Sequence, residues 1–149
     1  MKIFKAESSV DLQTTSLLFD LYRQFYEQKS DINSAKEFLS ERILNNESVI
    51  FLAVCEQAND GMGFVQLYPS FSSVSLKKIW ILNDLFVHKS HRRKGVAEAL
   101  IEKSRMLCIE TDAKGLILET HKSNADAQRL YDKTGFKKDE DHFYYILSV

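Results

Sequence analysis

With 149 residues, 44% of them hydrophobic and 28% charged, the chain has the size and balance of one globular domain able to bury a core, which excludes extended disorder. A formal net charge of −1 and a pI near 6.4 argue against the basic surface that broad nucleic-acid binding requires. No apolar run reaches the roughly 20 residues of a membrane span. Residues 1–10, MKIFKAESSV, have no long apolar segment of the signal-peptide kind, so no membrane partner and a cytoplasmic location are expected.

Residues 2–6 read as a short strand, and Ser8 or Ser9 can cap the helix that follows. Leu12, Leu17, Leu18, Leu21, Tyr22, Phe25 and Tyr26 recur near helical spacing, which predicts an amphipathic helix to about residue 28. After a polar loop, Ser34 with Glu37 forms a capping box and predicts a second helix to about residue 44, burying Phe38, Leu39 and Ile43. The β-branched and aromatic run 49–55, a turn signal at 59–61 and a second run 63–68 read as a hairpin. Pro69 and the serine-rich residues 70–75 interrupt it, either as a solvent-facing connector or as a loop that meets a small substrate, before strand character returns at 79–87.

Residues 88–94 are a polar, basic bend, and the chain becomes helical at Gly95. Val96/Ala97, Leu100/Ile101 and Leu107/Cys108 share one face of that helix, which Gly115 is expected to end. Residues 116–119 then form a strand parallel to 79–87, as a strand–helix–strand crossover requires. A helix over 125–134 closes on Gly135, and residues 142–147 make a last strand. The order β-α-α-β-β-β-α-β-α-β is an α/β sandwich with a mixed sheet, expected as a single domain over residues 1–149. Cys55 and Cys108 lie in apolar contexts and read as reduced, packed thiols, and His88, His91, His121 and His142 lack metal-ligand spacing, so no metal is expected.

The joint at 88–97 is where chemistry is expected. A helix that begins on a glycine after a basic turn offers backbone N–H groups at its start, backed by the positive end of the helix dipole. Such a joint binds anions, phosphate above all, or else is a solvated basic connector. Arg92, Arg93 and Lys94 add positive charge at the rim, and Gly95 lets the backbone approach a ligand that a side chain would hold off.

Arg92-Arg93-Lys94-Gly95-Val96-Ala97 resembles the Arg/Gln-x-x-Gly-x-Gly/Ala signature of the GNAT superfamily of acetyl-coenzyme A-dependent N-acetyltransferases. Asn124-Ala125 through Leu130-Tyr131, followed by Gly135-Phe136, resembles that family's second cofactor segment, and the element order fits from about residue 3 to 147. The resemblance implies a GNAT-like α/β sandwich whose mixed central sheet, flanked by about four helices, splays at a cofactor cleft. It also implies direct attack of a substrate amine on the acetyl thioester. Backbone N–H groups of residues 93–97 would hold the pyrophosphate, with Arg92 at the rim. Leu85, Phe86 and Val87 would offer main-chain bonds to the pantetheine and acetyl carbonyl, with Asn124 and Ala127 at the cofactor arm. Leu85, Phe86 and Val87 are also good core residues, and Asn124 is also a good helix cap. Tyr131 matches the tyrosine that protonates the leaving thiolate; its phenol, with an ordinary pKa of about 10, can donate.

Asn83-Asp84-Leu85-Phe86-Val87 resembles the Glu-Asp-Leu-Tyr-Val strand of polyamine acetyltransferases, but Asn83 stands where that branch has its glutamate base. An amide cannot take the proton, so the base would be Asp84 through a water chain, or solvent; Asp84 is equally a candidate structural carboxylate. Tyr22 and Tyr26, one helical turn apart, with Glu27, Asp31 and Asp84, suggest a pocket that draws a cationic amine, or else two packing tyrosines beside solvated acids. A small primary amine such as a polyamine, an amino acid derivative or an amino sugar is the expected acceptor. The competing readings are a protein or peptide N-acetyltransferase and a non-catalytic acyl-coenzyme A-binding module. A homodimer is expected from the family habit and the prevalence of two-fold symmetry.

Overall fold

One sheet carries five strands in the order β1 (Lys2–Lys5), β2 (Val49–Cys55), β3 (Asp60–Ser72), β4 (Lys77–Val87) and β5 (Leu116–Ile117). The first four pair antiparallel and β5 joins β4 in parallel. The computed structural model describes residues 1–58 and 60–149, which form two units, 1–119 and 120–149. Asn59, part of the expected hairpin turn, lies outside the described residues.

In the first unit, α1 (Ser9–Phe25) starts on a reciprocal cap in which Ser8 and Asp11 satisfy each other's backbone N–H. Its inner face meets α2 (Ile32–Leu44) and one face of the sheet, where Leu18, Phe19, Ala35, Leu39, Ile50, Leu52 and Phe64 form a buried cluster. Burying each such large side chain contributes about 1.5–3 kcal/mol. The capping box expected at Ser34 is displaced: α2 begins at Ile32, and the Asp31 carboxylate accepts from the Ser34 N–H at 3.0 Å. Asp31 itself is held there because buried Asp20 accepts its N–H at 2.7 Å and the Ser30 hydroxyl at 2.7 Å. Such an Asx cap outranks the downstream serine.

Pro69 does not interrupt the hairpin. The pairing of β2 with β3 stops at Val49/Leu67, so Pro69 has a partner on one side only, Trp80 of β4, and its missing N–H costs the ladder nothing. The first half of the serine-rich stretch, residues 70–72, is therefore strand, and the chain turns over residues 73–76 with Leu76 at a positive φ. Helix α3 (Val96–Glu110) packs on β2, β3 and β4 through Val96, Leu100, Ile101, Ser104 and Cys108. It stops at Glu110, short of Gly115, because Thr111 caps it and Asp112 turns left-handed with φ 47°. Trp80 Nε1 donates to Thr111 Oγ1 at 2.9 Å, and Lys114 N–H donates to Lys78 C=O at 2.7 Å, tying that exit to the start of β4. β5 follows as only two paired residues of the four expected.

The second unit holds α4 (Ala125–Lys133), capped by Asn124 and ended near Gly135 at φ 92°. The strand expected at 142–147 does not form. Unit 120–149 holds no other strand among its described residues with which these could pair, and Phe143, Tyr144, Tyr145, Ile146 and Leu147 are all more than four-fifths exposed. Among the described residues, no helix is long and apolar enough to cross a membrane.

Candidate active site

The site is built on a β-bulge. Gln66 lies opposite Asp84, and Leu67 opposite Leu82, which leaves Asn83 as the extra residue of β4. In a regular strand neighbouring side chains point to opposite faces; the bulge lets both Asn83 and Asp84 line one cavity of about 360 Å³. Phe19, Tyr22 and Arg23 of α1, spaced to share a helical face, form one wall. Ser34, Ala35 and Phe38 of α2 and Tyr68 of β3 complete the lining.

Asp84 is the chemical centre of that cavity. It is 5% exposed, and burial pushes its carboxyl above the usual carboxylate range. Hydrogen bonds oppose the shift: Gln66 Nε2 donates to Oδ2 at 2.6 Å, Asn83 Nδ2 to Oδ1 at 3.1 Å, and the Tyr22 hydroxyl donates as well. The result is a carboxylate that is oriented by three donors yet more basic than a surface aspartate. Burial and the charge of Asp84 push the Tyr22 phenol well above its ordinary value, and the same causes bring Tyr68 to about 12, so both keep their protons at neutral pH. Tyr22 stands edge-on to Phe64, Phe86 and Tyr26, with ring centroids 6.0, 6.4 and 5.1 Å away, which fixes its hydroxyl over Asp84.

The other expected acceptor residues are not gathered here. Tyr26 is half exposed and reaches the cavity only through Tyr22; Glu27 is exposed at φ 63°, beyond the end of α1. Asp31 is engaged as the α2 cap, and the Ser34 hydrogen bonds hold its carboxyl below the usual range. Arg23, Gln66 and Tyr68 were not anticipated. A glutamine within the apolar run Phe64-Val65-Gln66-Leu67 is the one signal that could have pointed to them.

The far end of β4 leads to the basic joint. β5 pairs only with Trp80 and Ile81, so it covers none of β4 beyond Ile81. This is the splay. His88 N–H bonds Met62 C=O on β3, so by backbone alternation Leu85 and Val87 turn their polar groups to the uncovered edge. Phe86 C=O points the other way, toward Gly63, where a Cβ would sit 2.5 Å from it. Arg92 is pinned: its Nε donates to Val87 C=O at 3.1 Å, and its guanidinium lies 6.0 Å from the Phe86 ring centroid.

A 3₁₀ turn at Lys89–His91 then leads to Arg93 at φ 59° and Gly95 at φ 78°. Gly95 caps α3 without a side chain, and the first intrahelical bond runs from Ala99 N–H to Gly95 C=O at 3.0 Å. The N–H groups of Val96 and Ala97 thus precede the ladder. A Cβ at Gly95 would meet no atom of the chain within 4 Å, so the surface over the helix start is open to a ligand. Lys94 and Arg93 flank it, both exposed. In the second unit, Asn124 Oδ1 accepts from Ala127 N–H at 3.2 Å, and the Tyr131 ring packs against Phe136 at 5.5 Å.

A mixed sheet splayed beside a parallel crossover, with an open helix start at the splay, defines a GNAT-type acetyltransferase. The model of the acetyltransferase (GNAT) family matches residues 15–136, and the chain belongs to that family. Over its full length the chain is 42% identical to the uncharacterized N-acetyltransferase YhfO of Bacillus subtilis (strain 168), covering 98% of it. It is 32% identical to a "probable acetyltransferase" of Haemophilus influenzae, covering all of this chain and 99% of the relative. A crystal structure of a "probable acetyltransferase" superimposes with a TM-score of 0.93 at 38% identity, covering 100% of this chain and 98% of that one. The protein is an acetyl-transferring enzyme.

Proposed function

We propose that the protein moves an acetyl group from acetyl-coenzyme A to the primary amine of a small molecule held in the Asp84 cavity, and that residues 1–149 act as one N-acetyltransferase domain. The observation that carries this reading is the open-mouthed cavity of about 360 Å³ lined by a basic, buried carboxylate; its volume is of the order that small ligands occupy. Acetyl-coenzyme A, when bound, supplies an acetyl group activated as a thioester. The donors at the α3 start suit its phosphates: the N–H groups of Val96 and Ala97, the open surface over Gly95, and the flanking Arg93 and Lys94. The uncovered polar groups of Leu85 and the Val87 N–H suit its amide-bearing arm, and Asn124 and Ala127 are assigned to the same arm by their motif.

An ammonium entering the cavity is attracted by Asp84 and the faces of Tyr22 and Phe38. Asp84 then takes the proton that the amine must lose before it can attack, directly or through a water, and its raised pKa makes it a better base. Asn83 and Gln66 orient that carboxylate. Tyr131 Oη is proposed as the proton donor as the carbon–sulfur bond breaks. The enzyme is further proposed to be a cytoplasmic homodimer.

An acyl-transfer assay following thiol release from acetyl-coenzyme A, with a panel of small amines and of peptides, tests this reading. Turnover of small amines is expected. Turnover of peptide N-termini alone would replace the acceptor class, and cofactor binding without turnover would leave a binding module.

A further inference from the structure

Resting on the reading that the cavity takes a small amine, we propose that this amine also carries an anionic oxygen group, a carboxylate or a phosphate, which Arg23 binds. Among the described residues three buried side-chain atoms have no hydrogen-bond partner, Arg23 Nη1, Ser48 Oγ and Gln66 Oε1, and of these residues only Arg23 lines the cavity. Leaving that nitrogen unbonded is costly, because the Coulomb attraction between Arg23 and Asp31 supplies no hydrogen bond to it. Arg23 also forms no ion pair within 4.0 Å among the described residues, although Asp84 lines the same cavity.

A basic residue in the last turn of α1 complements the helix dipole, but that role calls for no buried nitrogen. The planar fork of arginine matches the two oxygens of a carboxylate or phosphate. Tyr68 lies on the same lining; its oxygen accepts from Gln66 Nε2 at 3.1 Å, which leaves its own hydrogen to donate to such a group. The cavity therefore presents a carboxylate for an ammonium and a guanidinium for an anion, the pattern of an amino acid-like acceptor. A diamine would set its second charge against Arg23.

The test compares kcat/KM of the full-length protein, with acetyl-coenzyme A as donor, on matched pairs: an amino acid against its amide, and an amino sugar phosphate against the free amino sugar, with a diamine alongside. The charged member of at least one pair is expected to be favoured roughly tenfold or more, and the pair that shows it identifies the anion. Arg23→Gln should cost that substrate roughly 10–100-fold, mostly through KM, and leave its neutral partner within about twofold. Circular dichroism checks that the variant folds, and the wild-type comparison holds even if it does not. Wild-type preference for diamines or neutral amines, or equal losses on both members in a folded variant, would overturn the anion site while leaving the small-amine reading intact. Turnover of peptides alone would overturn both.

Discussion

Asp84 places an ionisable group where its charge is costly, and two measurable consequences differ in sign. As the proposed base, it must be deprotonated, so kcat/KM should fall at low pH with an apparent pKa above the usual carboxylate range. Asp84→Asn should lower kcat/KM by roughly 10²–10⁴ and abolish that acidic limb. Stability runs the other way. A carboxyl whose folded pKa is raised holds its proton longer in the folded state, so stability is greatest below the unfolded value of about 3.9 and declines as pH rises through the folded value. Asp84→Asn should therefore raise Tm at pH 7, with the gain vanishing below about pH 4; thermal melts across pH read this directly. For Tyr131, replacement by Phe is expected to lower kcat by roughly 10²–10⁴ with cofactor affinity unchanged, and a variant within about twofold of wild type would remove it from the mechanism. At this scale the sequence was legible where a residue acts locally: Gly95 stands at the start of α3 and Asn124 caps α4. Arg23, Gln66 and Tyr68 were not legible, because their roles depend on a register and a bulge that bring together residues from α1, β3 and β4.

The elements divide by what holds them. Helix α1 and strands β2 and β4 were readable because each carries its own periodicity and boundary residues, and α3 was readable except at its end, where Thr111 and Asp112 stop it before Gly115. The other misread boundaries are set by tertiary partners. Asp31 caps α2 because Asp20 holds it; Pro69 stays in β3 because β2 has already ended; residues 142–147 carry strand composition without a ladder. Two glycines test the joint. Gly95→Val should abolish acetyl-coenzyme A binding in calorimetry, because the side chain fills the open surface over the helix start, and should lower Tm because φ 78° is strained for a branched residue; unchanged affinity in a folded variant would move the phosphate site elsewhere. At Gly63, an added methyl would sit 2.5 Å from Phe86 C=O and 3.2 Å from Val87 Cα. Gly63→Ala should push β3 from β4 beside the splay, costing about 1–3 kcal/mol in denaturant melts.

On the scale of the whole molecule, the proposed homodimer rests on the prevalence of two-fold symmetry among oligomers. Light scattering at micromolar concentration should give twice 17.2 kDa; a single species at 17.2 kDa would refute the dimer. Family and fold were legible from two short motifs and the element order, whereas the proposed acceptor rests on the lining of the cavity. The most direct test of the account is therefore steady-state acetyl transfer from acetyl-coenzyme A to the best small amine by the wild-type protein and by Asp84→Asn at pH 7. The account predicts turnover by the wild type and a loss of roughly 10²–10⁴ in kcat/KM for the folded variant; no turnover of any small amine, or a variant as active as the wild type, would contradict it.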